Sequence, residues 1–170
     1  NFLTMSAFTT GASTMDITPT ASVLNTTGLV FKLYGEHFGA GTVPVAVSGN
    51  APQPAPRYPV GYDHPQVRAG SPTYPLDIIA GISPDGKMLR IGIINATYKP
   101  QHVALDIAGV KTAGGGRQWL LTGKTVEAAN KVGAPAGVTI GEKKVPALGR
   151  GLTVPAISTS IFEFPIAGAR

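Results

Sequence analysis

From Leu76 onward, apolar side chains recur at every second position in a series of short runs. Leu76, Ile78, Ala80 and Ile82 alternate with Asp77, Ile79 and Gly81, and Leu89, Ile91 and Ile93 alternate with Arg90, Gly92 and Ile94. Between these runs, Ser83-Pro84-Asp85-Gly86 has the chemistry of a tight turn. Val103, Leu105 and Ile107 repeat the alternation against His102, Ala104 and Asp106. Gln118–Thr122, Gly137–Ile140 and Ile157–Phe164 are further strand candidates. Successive strand side chains point to opposite faces, so this pattern builds sheets with a buried face. Short strands separated by turns every ~8–12 residues predict an all-β sandwich or barrel. No period recurs along the chain, which excludes propellers and solenoids.

The first forty residues obey a different rule. A short buried strand is expected around Ser13–Ile17, followed by a turn containing Pro19. Residues 24–38 read as a helix, with Asn25, Thr26 and Thr27 as N-cap candidates. Val30, Leu33, Tyr34, His37 and Phe38 fall on one stripe at helical spacing, and Leu29 and Phe31 widen it. Gly39 stands where a left-handed residue ends a helix. The rest of the sequence offers no second helix, so the stripe is expected to pack on a sheet or on something outside the chain. A boundary near residue 40 separates this strand–helix piece from the β region. Val43–Val47 is a short β run, and seven prolines between Pro52 and Pro75 make residues 51–75 an extended loop.

Composition agrees with this outline. Gly 22 and Pro 15 together make about a fifth of the 170 residues, and only 14% are charged, which argues against helix bundles and coiled coils. Hydrophobic content of 43% argues against global disorder. No apolar run reaches the ~18 residues of a membrane span, so no membrane partner is expected. The 14 basic residues exceed the 9 acidic ones for a net charge of +5, but they are dispersed, with Lys143-Lys144 the densest cluster. A nucleic-acid partner is therefore not expected. With Cys 0, thiol catalysis, disulfides and thiolate metal sites are excluded. Asn1 is not an initiator Met and Asn1–Thr10 lacks a basic signal region, so the chain is expected to begin within a longer protein.

Candidate chemistry is sparse. Sugar hydrolysis needs two carboxylates at a set separation. Asp16, Glu36, Asp63, Asp77, Asp85, Asp106, Glu127, Glu142 and Glu163 form no evident pair at strand ends. Asp16, near the end of a strand before a loop, is a candidate substrate-binding residue; a structural role in the following turn is the alternative. Tyr58 and Tyr62, with Tyr74, sit in the proline-rich loop and could stack on sugar rings or anchor the loop by packing. Gly123-Lys124-Thr125 ends like a phosphate-binding loop, but Gln118 stands where the first glycine belongs. His37, His64 and His102 have no metal-ligand spacing, and neither metal nor cofactor is expected. His102 and Asp106 share a strand face as a solvated pair. Asn25-Thr26-Thr27 and Asn95-Ala96-Thr97 match the glycosylation sequon, although caps and turn contacts explain both asparagines without sugar.

Taken in order, several segments resemble the C-terminal region of family 51 glycoside hydrolases, the α-L-arabinofuranosidases. Thr27-Gly28-Leu29-Val30-Phe31-Lys32-Leu33-Tyr34 resembles the last helix of that family's barrel, and Val43-Pro44-Val45-Ala46-Val47-Ser48-Gly49 the first strand of its sandwich. Pro75-Leu76-Asp77-Ile78-Ile79-Ala80 and Leu89-Arg90-Ile91-Gly92-Ile93-Ile94-Asn95 are similar to two further strands. Leu121-Thr122-Gly123-Lys124-Thr125-Val126-Glu127-Ala128-Ala129-Asn130 is similar to a Leu-x-Gly…Ala-x-Asn loop, and Leu152-Thr153-Val154-Pro155-Ala156-Ile157-Ser158 to the closing strand. The resemblance runs from about Ala12 to Phe164 and departs in the proline-rich loop.

The resemblance implies a mainly β fold: an antiparallel, jelly-roll-like β-sandwich over residues 41–170, preceded by a residual strand–helix unit of a (β/α)8 barrel over residues 1–40. It implies a parent enzyme that removes terminal non-reducing α-L-arabinofuranosyl residues with retention, in hemicellulose degradation and L-arabinose metabolism. That parent uses two glutamates on barrel strands. A barrel takes ~250 residues, so neither glutamate has a counterpart here, no catalytic residue is carried over, and the isolated chain is expected to be inactive. The partners implied are the barrel of the same parent, an arabinose-containing polysaccharide or oligosaccharide reached through it, and a homo-oligomer. The helix would then pack on the missing barrel, and the sheet would expose an edge where a strand from before the barrel belongs. The alternative is a free-standing carbohydrate-binding or structural β-sandwich module, which would bind arabinan through Tyr58, Tyr62 or Trp119. The compartment stays open.

Overall fold

A computed structural model describes residues 14–50, 72–149 and 151–168. Its strands are β1 Met15–Ile17, β2 Ser22–Leu24, β3 Val43–Val45, β4 Asp77–Ile82, β5 Met88–Asn95, β6 Gln101–Val103, β7 Gly116–Gly123, β8 Val138–Val145, β9 Leu152–Val154 and β10 Ser158–Pro165. One α-helix, α1, spans Thr26–Leu33 and runs on into a π-helical turn at Tyr34–Phe38. Six strands form one antiparallel sheet in the order β3-β4-β5-β10-β7-β8, while β6 pairs with β9 and β1 with β2. The architecture is thus mainly β and antiparallel, as the alternation predicts.

The last long strand in sequence occupies the middle of the sheet. β10 pairs on one side with β5, setting Phe162 opposite Ile91 and Phe164 opposite Leu89, and on the other with β7, setting Ile161 opposite Trp119. A strand with neighbours on both sides and layers on both faces has no solvated face, and nearly all of β10 is buried.

One face of the sheet is covered by the β6–β9 pair. Leu89, Ile91, Ile93, Phe162 and Phe164 meet Leu152 and Val154 there, with Leu105 and Ile107 packed alongside. The run expected to be a strand from Val103 to Ile107 leaves the ladder after Val103. Leu105 and Ile107 keep their inward orientation because the apolar layer, rather than a pairing partner, sets it. The long strands expected from residues 118, 137 and 157 are present at 116–123, 138–145 and 158–165.

The opposite face carries a second core. Leu29 and Leu33 of α1 pack with Trp119, Leu121, Val138 and Ile161, and Leu33 is fully buried. Of the partners expected for the helical stripe, a sheet of this chain is the one observed. Ile161 precedes Phe162 on β10 and so faces the other way, and it is flanked there by Trp119 and Leu121 of β7, so the sheet is apolar on both faces and supplies the partner itself. Phe31, expected on the apolar face, is 52% exposed.

The helix starts as the sequence indicates, with Asn25 accepting a hydrogen bond from the Thr26 N–H at 2.8 Å. It ends differently. The Gly39 N–H donates to the Tyr34 carbonyl at 2.9 Å, a five-residue step that widens the last turn. Gly39 takes the expected positive φ, at 76°. The wide turn lays Tyr34 over Gly92, where a Cβ would come within 3.0 Å of the Tyr34 hydroxyl.

The strand expected at Ser13–Ile17 is found at Met15–Ile17, half-buried rather than buried, with Ile17 at its exposed end. It forms a hairpin with β2, which the helical reading from residue 24 did not foresee, closed by the Thr18 N–H donating to the Ala21 carbonyl at 2.8 Å. Among the described residues, β3 and β8 each have a single neighbour in the large sheet. Both are guarded as sheet edges usually are, by Pro44 on β3 and by Glu142, Lys143 and Lys144 on β8.

Candidate functional site

Asp16 lies on β1 and accepts a hydrogen bond from the Val132 N–H at 2.8 Å. Its carboxylate ties the hairpin to a loop more than a hundred residues later. Tyr58 and Tyr62 lie outside the described residues, as does Asp63. Tyr74 borders that segment and is 39% exposed.

Asp16 belongs to a larger seam. The Thr26 hydroxyl donates to the Ala128 carbonyl at 3.2 Å, and the Asn130 N–H donates to the Asn25 side-chain oxygen at 3.3 Å. The Asn130 amide also donates to the carbonyls of Leu24 at 3.0 Å and Val138 at 2.9 Å, and accepts from the Val138 N–H at 2.9 Å. Asn130 closes the segment similar to the Leu-x-Gly…Ala-x-Asn loop, and it holds β2, α1 and β8 together. Sequence reasoning quoted this residue without giving it a role. A polar residue at the end of a turn-rich loop is the only signal, and asparagines in turns are common.

The sequon asparagines are both occupied internally. Asn25 caps α1, while Asn95 is fully buried and donates to the carbonyls of Lys99 at 2.9 Å and Pro155 at 2.8 Å. Gly123-Lys124-Thr125 lies at the end of β7, where the Thr125 carbonyl accepts from the Ala128 N–H at 3.2 Å. It forms a turn and not a phosphate cradle. His102 contacts the Thr153 hydroxyl at 3.1 Å, across the β6–β9 pair.

The glutamates on the helix-bearing side are matched to cations. Lys32 pairs with Glu36 one turn away, Arg117 with Glu142 at 3.2 Å, and Arg90 with Glu163 at 3.0 Å. The hydrogen bond from Lys32 holds the Glu36 carboxyl below its ordinary range, and the Ser83 hydroxyl and the Lys87 N–H do the same for Asp85. A glycosidase acid needs the opposite, a carboxyl whose proton is retained near neutral pH. Arg90 does more than pair. Its Nη1 donates to the Phe38 carbonyl at 2.8 Å and to the Thr42 hydroxyl at 3.1 Å, so it caps the carboxyl end of the helix.

Among the clefts on the described surface are two near the helix-bearing sheet. One, of about 370 Å³, lies among Met88, Gly116, Arg117, Lys144 and Glu163, and its one carboxylate is the one Arg90 binds. The other, of about 220 Å³, lies where β5, β7 and β10 end near α1, and no titratable side chain lines it. Ile157 on its wall sits at φ 44°, held by a hydrogen bond from its N–H to the Thr97 carbonyl and by one that its carbonyl accepts from the Thr122 hydroxyl, both 3.1 Å. Such a conformation is uncommon for a β-branched residue. Among the described residues no group of His, Asp and Glu is placed to hold a metal, and no helix is long and apolar enough to cross a membrane. These clefts can receive a surface group but contain no pair of carboxylates for glycoside hydrolysis.

No family model matches the sequence, and no curated protein is similar to it. Solved structures are. An α-L-arabinofuranosidase from Thermotoga maritima, in complex with arabinose, superposes with a TM-score of 0.67 at 20% identity, covering 91% of this chain and 32% of that one. The family 51 α-L-arabinofuranosidase from Thermotoga petrophila gives 0.62 at 20%, covering 89% and 31%. The family 51 arabinofuranosidase from Xanthomonas axonopodis pv. citri gives 0.66 at 18%, covering 90% and 29%. The chain therefore has the fold of part of these enzymes and spans about a third of their length, as the resemblance implies.

Proposed function

We propose that this chain is the C-terminal accessory and structural portion of an α-L-arabinofuranosidase. In this reading residues 1–40 are the last strand–helix unit of the parent's barrel and residues 41–170 are its β-sandwich. The barrel carries both catalytic glutamates and removes terminal non-reducing α-L-arabinofuranosyl residues, with retention, from arabinose-containing polysaccharides or oligosaccharides. The work of this portion is to brace the barrel.

The observation that carries the reading is the superposition of about nine-tenths of this chain on under a third of the Thermotoga maritima enzyme. The ion-paired glutamates agree with a bracing role, since they are committed to holding elements together. A free-standing carbohydrate-binding module is less well supported. Trp119, the one of its three expected aromatics that lies among the described residues, is 8% exposed and covered by His37.

A chromogenic arabinofuranoside tests the proposal. The chain alone should give no turnover, while a coding sequence extended upstream of Asn1 should supply a barrel with two strand-end glutamates and yield an active enzyme. Robust turnover by the 170 residues alone, or an upstream sequence without such a barrel, would overturn it.

A further inference from the structure

The antiparallel register of the large sheet lays a charged row across four strands on its helix-bearing face. Arg90 stands opposite Glu163, Glu163 opposite Arg117, and Arg117 opposite Lys144. Glu163 lies two residues beyond Ile161 and so shares its face, and directly opposed residues point the same way. Two cations, Arg117 and Lys144, therefore face each other, which costs stability unless an anion lies between them.

The nearby carboxylates are already engaged. Arg90 holds Glu163 at 3.0 Å, and Arg117 holds Glu142 at 3.2 Å. Among the described residues, Lys144 makes no ion pair. Three cations set against two carboxylates leave this cluster with one positive charge uncompensated.

The 370 Å³ cleft opens at this cluster, and its size lies within the ~300–1,000 Å³ of ligand pockets. Arg117 and Lys144 line it, as do the apolar Val145 and the pair Met88 and Pro165, which oppose each other on β5 and β10. Gly115 and Gly116 contribute backbone alone, and close packing requires both to be glycine. A Cβ on Gly115 would lie 2.7 Å from the Val145 carbonyl, and one on Gly116 2.3 Å from the Glu163 carbonyl.

We propose that this cleft binds a small apolar monocarboxylate, such as an aryl carboxylate. Its carboxylate sits between Arg117 and Lys144, and its carbon skeleton lies against Met88 and Pro165. The charge count selects the ligand: one uncompensated charge suits a monoanion, and a phosphate dianion would exceed it. A neutral molecule would leave the two cations facing each other, and a heavily hydroxylated one would set polar groups against Met88, Val145 and Pro165 without partners. The 220 Å³ cleft has no titratable side chain and makes no such selection. The inference does not depend on the arabinofuranosidase reading.

Benzoate is the probe, titrated into the 170-residue chain at about pH 8, where histidines are neutral. The backbone amide NMR signals of Gly115, Gly116 and Val145 should shift saturably, with a dissociation constant on the order of 1–10 mM. Benzyl alcohol has the ring without the charge, and inorganic phosphate has charge without the ring. Each should bind at least about threefold more weakly than benzoate. Lys144→Met should weaken benzoate about threefold to fivefold without lowering the melting temperature, because this exposed lysine has no ion pair to lose. Glu142→Gln frees Arg117 and should tighten benzoate about twofold to threefold. No shift up to about 100 mM benzoate, ten times the weakest affinity expected of so small a ligand, would overturn the site. So would benzyl alcohol or phosphate binding as tightly as benzoate, or both variants binding benzoate like the wild type.

Discussion

The Asn130 backbone N–H reaches the Asn25 side-chain oxygen at 3.3 Å across 105 residues of chain. One oxygen thus caps the helix and receives the loop that closes over its start, because it also accepts from the Thr26 N–H. The seam joining the first described elements to the large sheet depends on these two asparagines, both less than a tenth exposed.

Asn130→Ala leaves the Leu24 and Val138 carbonyls and the Val138 N–H without their side-chain partner. Buried groups deprived of partners cost roughly 1–3 kcal/mol each when water cannot reach them. We expect a loss of about 2–4 kcal/mol in urea unfolding. Asn130→Asp keeps the acceptor for Val138 but loses both donations, so it should recover only part of that loss. A loss below about 1 kcal/mol for Asn130→Ala would show that the seam is not held by this side chain.

Glycines 28 and 35, both in the helical segment, should respond oppositely to alanine. A Cβ on Gly28 would lie 2.2 Å from the Thr14 carbonyl, the same oxygen that accepts the Asn25 N–H at 2.9 Å. Backbone must move, and Gly28→Ala should cost about 1–3 kcal/mol. At Gly35 a Cβ meets nothing within 4 Å, so Gly35→Ala should be neutral or stabilising by up to about 1 kcal/mol. Thermal melts of the two variants decide it; equal effects would mean that the hairpin and helix are not packed as described.

Arg90 and Glu163 should be unequal partners. Both side chains are less than a fifth exposed, so the pair is shielded from solvent. Glu163→Gln removes the ion pair but leaves Arg90 on the Phe38 carbonyl and the Thr42 hydroxyl, whereas Arg90→Ala removes all three contacts. We expect about 1 kcal/mol for the former and about 3 kcal/mol for the latter. A double-mutant cycle should return a coupling of about 1 kcal/mol. Equal single losses would remove the helix-capping role of Arg90.

Much of this fold is legible along the chain. The alternation at Leu89, Ile91 and Ile93 marks a strand, the Ser83–Gly86 turn precedes it, and Asn25 and Gly39 bracket the helix, because each is a local steric or hydrogen-bonding preference. The candidate site was less accessible. Asp16 stands out as a carboxylate near a strand end, yet its partner is a backbone N–H of the loop at Val132. Trp119 looks like a binding aromatic until His37 is found on top of it.

Local chemistry by itself determined the long strands of the large sheet, where the helix starts, and that no catalytic pair of carboxylates is apparent. Only the tertiary structure decided that β10 enters between β5 and β7, which makes the sheet apolar on both faces and gives the helical stripe its partner. Strand order and the pairing of Asn130 with Asn25 join residues far apart in the chain. Periodicity shows which way a side chain faces, but not what it meets there.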